Sequence, residues 1–324
     1  QAPTGYLKDG AKTLEFEITK DGEMVDLTSK DTSIANQVIR GGVKVQKRDI
    51  ETGETKPQGN ATLEGATFTI TNLSTHPVLV NEKLYESEQV VLTLKTDKSG
   101  TAATAKDALP YGHYRIDETE APDGYLNEGK LSQEFDIQEN GKIIDLTSKE
   151  HAILNQIIRG DLEFVKVSDG DLNRLANVPF SITSKTTGES HTIVTDKNGY
   201  ASTSAEWNKH TANTNRGETS EDGIWFGTSK PDDSKGALIY DTYILEEQRC
   251  ETNEGMNLLK IEVEVYRNHV VIDMGTLTDD RITIGTTALD KDTESHLSKP
   301  EKKITIIDTV EYEGLKKGQS YKLL

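Results

Sequence analysis

Three polar side chains with complementary chemistry occupy apolar-facing positions in three separate stretches of alternating residues. Residues two apart in a β-strand share a face. Lys47 follows Val43 and Val45 on its face, Glu118 follows Tyr114 and Ile116, and Asn155 lies between Ile153 and Ile157. Because the apolar members must face the core, the pattern predicts that an amine, a carboxyl group and an amide meet inside it.

Such a cluster has a defined chemistry. Burial lowers the pKa of a lysine and raises that of a glutamate, which favours a neutral, nucleophilic amine beside a protonated acid. The acid can donate a hydrogen bond to the amide oxygen and relay a proton to departing ammonia, and the core holds the reactants together. We therefore hypothesise an autocatalytic isopeptide bond from Lys47 to Asn155, promoted by Glu118. Spacing alone equally allows a buried ion pair beside a hydrogen-bonded asparagine.

The elements that must position these residues are short strands. Runs of alternating apolar residues separated by Gly, Asn, Asp and Pro cover 43–49, 66–71, 90–96, 114–118, 134–137, 142–146 and 151–158. Seven strands at this spacing, without a helical period, predict an all-β fold, an antiparallel β-sandwich of immunoglobulin-like type.

A tandem repeat sets the domain boundaries. Residues 1–42 match 120–161 at a shift of 120 − 1 = 119, with 21 of 42 positions identical. The repeat indicates that 1–41 is the C-terminal part of a truncated domain and that 42–160 is a complete domain. Asn36 is then an acceptor whose lysine and glutamate would precede Gln1, and we expect the chain to be a piece of a longer protein.

A third, divergent unit is predicted over 161–283, with an insertion near 204–235 that holds both tryptophans of the chain. Lys166 lies 166 − 47 = 119 residues after Lys47. Glu247 lies 247 − 118 = 129 residues after Glu118 and is equivalent to it once the insertion is counted. No asparagine aligns with Asn155. Asp280 shares strand parity with the apolar residues that follow it, so we predict it as an alternative acceptor that would lose water.

The composition limits the partners. There are 37 Lys and Arg against 55 Asp and Glu, a net charge of −18, which disfavours binding to nucleic acid or to anionic lipid. No segment is long and apolar enough to insert into a membrane. The single cysteine excludes an internal disulfide framework, and no Cys or His cluster has zinc spacing, so neither a metal nor another cofactor is expected.

Four segments resemble the Cna B-type (prealbumin-like) repeats of Gram-positive surface proteins and pilins: Val43–Asp49, Gly65–Ile70, Glu118–Tyr125 and Asn155–Gly160. The resemblance implies that Lys47, Glu118 and Asn155 form an intramolecular isopeptide bond. Residues 284–324 resemble the start of a VaFE repeat. Together these likenesses imply a non-enzymatic stalk or adhesin segment, outside the cell and anchored to the wall, in contact with the neighbouring domains of its own polypeptide.

The insertion offers a second function. Its aromatic and amide-rich surface suits a host glycan or matrix protein, with Trp207, His210, Trp225 and Phe226 as the candidate binding residues. The competing interpretation is a flap whose tryptophans cover the core, since a loop this long needs some core of its own. A secreted hydrolase would need paired carboxylates or a nucleophile and base outside the isopeptide set, and the sequence offers none.

Overall fold

The computed structural model describes the chain except residues 1, 9–12, 30, 34, 213–219, 221, 299, 301, 319 and 321–324. It divides into two compact units, Gln1–Ile157 (unit 1) and Ile158–Leu324 (unit 2). Regular structure in the described residues is β-strand apart from one short 3-10 helix, Glu251–Asn253. The all-β prediction is therefore confirmed. The described helical structure includes nothing long and apolar enough to cross a membrane.

Unit 1 carries most of its strands in two sheets. In chain order they are β1 (Arg40–Asp49), β2 (Thr67–Asn72), β3 (Val78–Val80), β4 (Lys83–Tyr85), β5 (Val90–Lys95), β6 (Thr101–Ala103), β7 (Leu109–Pro110), β8 (Gly112–Glu120), β9 (Tyr125–Leu126), β10 (Ser132–Ile137), β11 (Ile143–Leu146) and β12 (Ile153–Ile157). One sheet is antiparallel, in the order β10-β8-β2-β5, and the other is built on β1. The short β3 and β4 pair with each other as a hairpin.

Strand β1 organises its sheet. It pairs antiparallel with β6 and β7 but parallel with β11 and β12, in a register that sets Asp49 opposite Asn155. Parallel pairing of the first and last strands is an addition to the predicted antiparallel sandwich. The pairing agrees with the burial of β1 along almost its whole length, because parallel strands are usually covered on both faces.

The core of unit 1 lies between the two sheets. Alternating residues of β8 are buried and half-buried, as the period of two predicts, and Tyr114 stacks on Phe135 with ring centroids 5.7 Å apart. Val43 and Val45 from β1 and Ile153 from β12 belong to the same apolar cluster. The sequence places Lys47, Glu118 and Asn155 in continuation of these apolar rows.

Unit 2 repeats the plan with fewer strands. They are β13 (Arg159–Ser168), β14 (Pro179–Ser184), β15 (Ser190–Val194), β16 (Tyr200–Ser202), β17 (Leu238–Ile239), β18 (Asp241–Glu247), β19 (Lys260–Val265), β20 (Val271–Asp279), β21 (Thr283–Asp290) and β22 (Ile306–Glu313). An antiparallel sheet β15-β14-β18-β19 accompanies a sheet built on β13, along which β20 runs parallel. The last two strands form a separate antiparallel hairpin.

The residues before β1 repeat a feature of the complete domain. Tyr6 bridges Val38 in antiparallel fashion, just as Tyr125 pairs with Ile157 at the corresponding positions 119 residues later. The N–H of Leu7 also donates to the carbonyl of Gln37. The predicted repeat therefore extends to local backbone pairing. The structure divides the chain after Ile157. The domain limits at 41, 160 and 283 remain predictions from the sequence.

Candidate functional site

The structure brings Lys47, Glu118 and Asn155 together. They come from β1, β8 and β12, and their exposed fractions are 0%, 5% and 0%. Lys47 Nζ lies 2.8 Å from Glu118 Oε2, and Asn155 Nδ2 donates to the same oxygen over 3.0 Å. The β1–β12 register explains the meeting, because it sets Asn155 opposite Asp49, two residues and one same-face position beyond Lys47.

Burial shifts Lys47 and Glu118 toward their neutral forms, an amine and a carboxylic acid. Burial lowers the pKa of Lys47 to about 8, although the charge of Glu118 opposes the change. Burial likewise raises the pKa of Glu118, against the opposing effects of Lys47 and the Asn155 amide. Both shifts favour transfer of a proton from the ammonium to the carboxylate, which leaves a neutral amine beside a carboxylic acid.

Glu118 Oε2 is placed to relay a proton between two nitrogens, but it does not contact the amide oxygen. Asn155 Nδ2 donates both to Glu118 and, over 2.8 Å, to the carbonyl of Leu126, which fixes the amide orientation. Asn155 Oδ1 and Glu118 Oε1 have no hydrogen-bond partner among the described residues. The expected hydrogen bond from the acid to the amide oxygen is therefore absent from this arrangement, whereas the route from amine to leaving nitrogen is present.

A second contact beside the cluster went unrecognised in the sequence. Asp49, fully buried, accepts hydrogen bonds from Tyr125 Oη (2.9 Å) and Gln58 Nε2 (3.1 Å). Burial raises the pKa of Tyr125 well above its usual range, and the Asp49 charge adds to the increase. The bond ties the turn after Glu118 to the strand that carries Lys47. Strand parity could have found it, because Asp49 shares the face of Lys47.

Unit 2 contains a corresponding cluster with a carboxyl group as acceptor. Lys166 Nζ lies 2.7 Å from Asp279 Oδ2 and 3.8 Å from Glu247 Oε2, and all three side chains are fully enclosed. The β13–β20 register sets Asp279 opposite Ser168. That place corresponds to Asn155 opposite Asp49 in unit 1. Burial raises the pKa of Glu247 to about 7, and the neighbouring Asp279 adds to the rise.

The structure places Asp279, and not the predicted Asp280, beside Lys166. Asp280 is exposed, and its carbonyl accepts a hydrogen bond from the N–H of Asn257. Successive residues of a strand point to opposite faces, so a one-residue error in register exchanges core and solvent. Asp279 is the last residue of β20. It lies two residues after Leu277, so both side chains are on the buried face.

Glu247 also contacts a residue that the sequence does not identify. Asn253, fully buried at the end of the 3-10 helix, donates through Nδ2 to Glu247 Oε1 over 2.9 Å. Its Oδ1 accepts the N–H of Cys250 at 2.8 Å. The helix is only Glu251–Asn253, too short for a periodic signal, and this explains why it was missed.

The insertion forms part of the core of unit 2. Trp225, Phe226 and His210 are 2%, 0% and 6% exposed. The Arg159 guanidinium lies 3.7 Å from the Trp225 ring centre and donates to the Phe226 carbonyl over 3.0 Å. These three side chains are thus not available to a ligand at the surface, which corrects the predicted binding set and favours the flap.

The other predicted residues have more open surroundings. Trp207 is half-buried and packs edge-on against Tyr200, with ring centroids 5.9 Å apart. Asn36 is half-buried in the stretch before β1, and its pairing stays a prediction. No cluster of three or more metal-ligating side chains occurs in the described part of the chain.

Two family models match parts of the chain. Residues 41–151 match the SpaA prealbumin-like fold domain, in agreement with the resemblance from sequence. Residues 282–324 match a T-Q ester bond containing domain. This second match replaces the expected VaFE repeat, for which the comparisons give no support. Comparison with curated proteins gave no match.

Several solved structures are similar. The Bacillus anthracis TIE protein is 25% identical, with a TM-score of 0.53; the match covers 86% of this chain and 40% of that one. A C-terminal fragment of the pilus adhesin SpaC from Lactobacillus rhamnosus GG is 15% identical over 75% of this chain and 98% of that one, with a TM-score of 0.37. A streptococcal ancillary pilin is 20% identical over 80% and 68%, with a TM-score of 0.28. The chain therefore spans less than half of the TIE protein.

Proposed function

We propose that this chain, whose residues 41–151 form a prealbumin-like domain, is a load-bearing segment of a Gram-positive surface protein, locked by an isopeptide bond between Lys47 and Asn155. The carrying observation is that one buried oxygen, Glu118 Oε2, lies 2.8 Å from the attacking nitrogen and 3.0 Å from the leaving nitrogen. The segment is structural and extracellular, and the cross-link is a single self-modification rather than enzyme turnover.

The reaction balances within the cluster. The Lys47 ammonium passes one proton to Glu118, and the resulting amine attacks Asn155 Cγ. Of the two remaining amine protons, one stays on the new amide nitrogen. The other passes to Glu118 as Glu118 Oε2 gives its own proton to the departing nitrogen and the Cγ–Nδ2 bond breaks. The products are one amide, one ammonia molecule and a neutral Glu118 carboxylic acid.

The same chemistry in unit 2 would use the pair Lys166 and Asp279. The raised pKa of Glu247 favours its acid form, so the Lys166 ammonium and the Glu247 carboxyl group together supply four protons. As Lys166 Nζ bonds to Asp279 Cγ and the Cγ–O bond breaks, two of these protons leave with the oxygen as water, one stays on the amide nitrogen and one stays on Glu247. The 2.7 Å approach of Lys166 Nζ to Asp279 supports this pairing.

The place of the bond suits resistance to force. Strand β1 is where the chain enters the complete domain and β12 is where it leaves, and the bond would join these two strands directly. A pulling force would then pass through the cross-link and would not peel the sheets apart. Anchoring to the wall and contact with a host glycan or matrix protein through another part of the parent protein are extensions of this proposal.

Peptide mass spectrometry tests the proposal. A digest of the folded chain should yield a branched peptide that joins the Lys47 and Asn155 segments and lacks one ammonia, and this peptide should disappear in Glu118→Gln. Tyr125→Phe is the matched control, since it removes a neighbouring buried hydrogen bond but none of the reacting groups. Linear peptides with unshifted masses from the folded wild-type chain would refute the bond.

A further inference from the structure

We infer that Asn253 is a positioning residue for cross-linking in unit 2, where it supplies to Glu247 the amide hydrogen bond that Asn155 supplies to Glu118 in unit 1. This inference rests on the proposed reaction of Lys166 with Asp279. It concerns a residue outside the three reacting side chains, on a 3-10 helix that the sequence did not reveal.

Because the proposed acceptor in unit 2 is a carboxyl group, it cannot give Glu247 the amide hydrogen bond that Glu118 receives in unit 1. In unit 1 the acceptor is itself an amide, and its Nδ2 donates to Glu118 over 3.0 Å. Asp279 has no amide N–H to donate, and its carboxyl group raises the pKa of Glu247 instead of stabilising the carboxylate. Apart from Asn253, the nitrogen groups that approach the Glu247 carboxylate in the described residues are the N–H of Leu259 at 3.2 Å and Lys166 Nζ at 3.8 Å.

Asn253 meets this need with a fixed amide. Its Oδ1 accepts the Cys250 N–H at 2.8 Å, so Nδ2 must point the other way. Nδ2 then donates to Glu247 Oε1 at 2.9 Å and to the Gln248 carbonyl at 2.9 Å. The side chain is fully buried and every polar atom has a partner. Such a contact locks one Glu247 oxygen and leaves Oε2 directed toward Lys166.

The hydrogen bond also affects the proton of the cluster. Donation from Asn253 stabilises the carboxylate form and partly offsets the increase that burial causes in the pKa of Glu247. Lys166 and Asp279 are the titratable groups that face it. Loss of the donor should both misplace Glu247 and raise its pKa further, so the rate of water loss should fall and its pH profile should move.

The test follows water loss from unit 2 after the unfolded full-length chain is refolded at a series of pH values. Asn253→Asp keeps an oxygen for the Cys250 N–H but replaces the donor toward Glu247 by an acceptor. We expect it to react roughly a hundredfold more slowly, as for a misplaced catalytic group, and to retain activity to higher pH. Asn253→Ala should behave similarly. Ser184→Ala is the control, since it removes a buried hydrogen bond to Asp241 at the far end of the β14–β18 pair.

The outcomes separate the two ideas. If the wild-type chain loses no water, the proposed reaction in unit 2 fails. If the wild-type chain reacts and both Asn253 variants match its rate and pH profile, the positioning role alone is overturned. Tryptophan fluorescence verifies folding, because both tryptophans lie in unit 2. Failure of both variants to fold while Ser184→Ala folds would assign Asn253 a purely structural role and would also overturn the inference.

Discussion

Replacing Glu118 by glutamine should turn the complete domain from a mechanically locked one into one that unravels under force. The substitution keeps the size of the side chain and leaves Lys47 and Asn155 in place, but it removes the proton relay. The loop between them spans 155 − 47 = 108 residues, which extend to roughly 360–390 Å at about 3.3–3.6 Å per residue. With the bond in place, this length is not released when the strands separate.

The assay is single-molecule stretching of the full chain. Glu118→Gln should add one unfolding step of roughly 360–390 Å to the wild-type trace, whatever unit 2 contributes. In denaturant the same variant should lose about 5 kcal/mol of unfolding free energy, the loop-closure value for a cross-link over about 100 residues. Tyr125→Phe should cost only about 1–3 kcal/mol and add no step.

A contrary result is easy to recognise. If Glu118→Gln adds no step and the wild-type chain yields no branched peptide, no covalent bond spans the loop. If Glu118→Gln leaves both the step pattern and the branched peptide unchanged, the bond forms without Glu118. Either observation would refute the reasoning from the shared oxygen.

Three further outcomes follow from the geometry. Burial lowers the pKa of Lys47 from its ordinary 10.5 to about 8. In Asn155→Ala, which cannot cross-link, the unfolded state should therefore bind more protons than the folded state in the window between these values. The unfolding free energy should rise by at most about 3 kcal/mol as pH increases through it, by hydrogen exchange or circular dichroism, while the wild-type chain shows no such rise. Gly199→Ala should destabilise unit 2 by about 1–3 kcal/mol more than Gly188→Ala, because both glycines have positive φ but only at Gly199 does a new Cβ lie 2.5 Å from a backbone carbonyl oxygen. Arg159→Ala should lower the denaturant stability of unit 2 by about 3 kcal/mol or more, read by tryptophan fluorescence; an unchanged midpoint would contradict the structural role of the insertion.

Much of the site in unit 1 could be predicted from the alternation of apolar and polar residues within the strands. Lys47, Glu118 and Asn155 each continue an apolar row, and the energetic need to satisfy buried polar groups required them to meet. The same argument applies to Asp49, which shares the face of Lys47. In unit 2 the alternation of residues is insufficient, because it does not give the point where β20 ends and therefore favours Asp280 over Asp279.

The all-β fold, the tandem repeat and the identities of the core-facing lysine, glutamate and asparagine could all be predicted from the order of the residues, because they depend on local period and on the cost of burying charge. Which atoms face each other depends instead on the folded arrangement. The parallel register of β1 with β12 and of β13 with β20, the amide orientation of Asn155 and the approach of Asn253 to Glu247 all arise between segments distant in the chain. Such pairings depend on side-chain packing across strands, which local patterns do not encode.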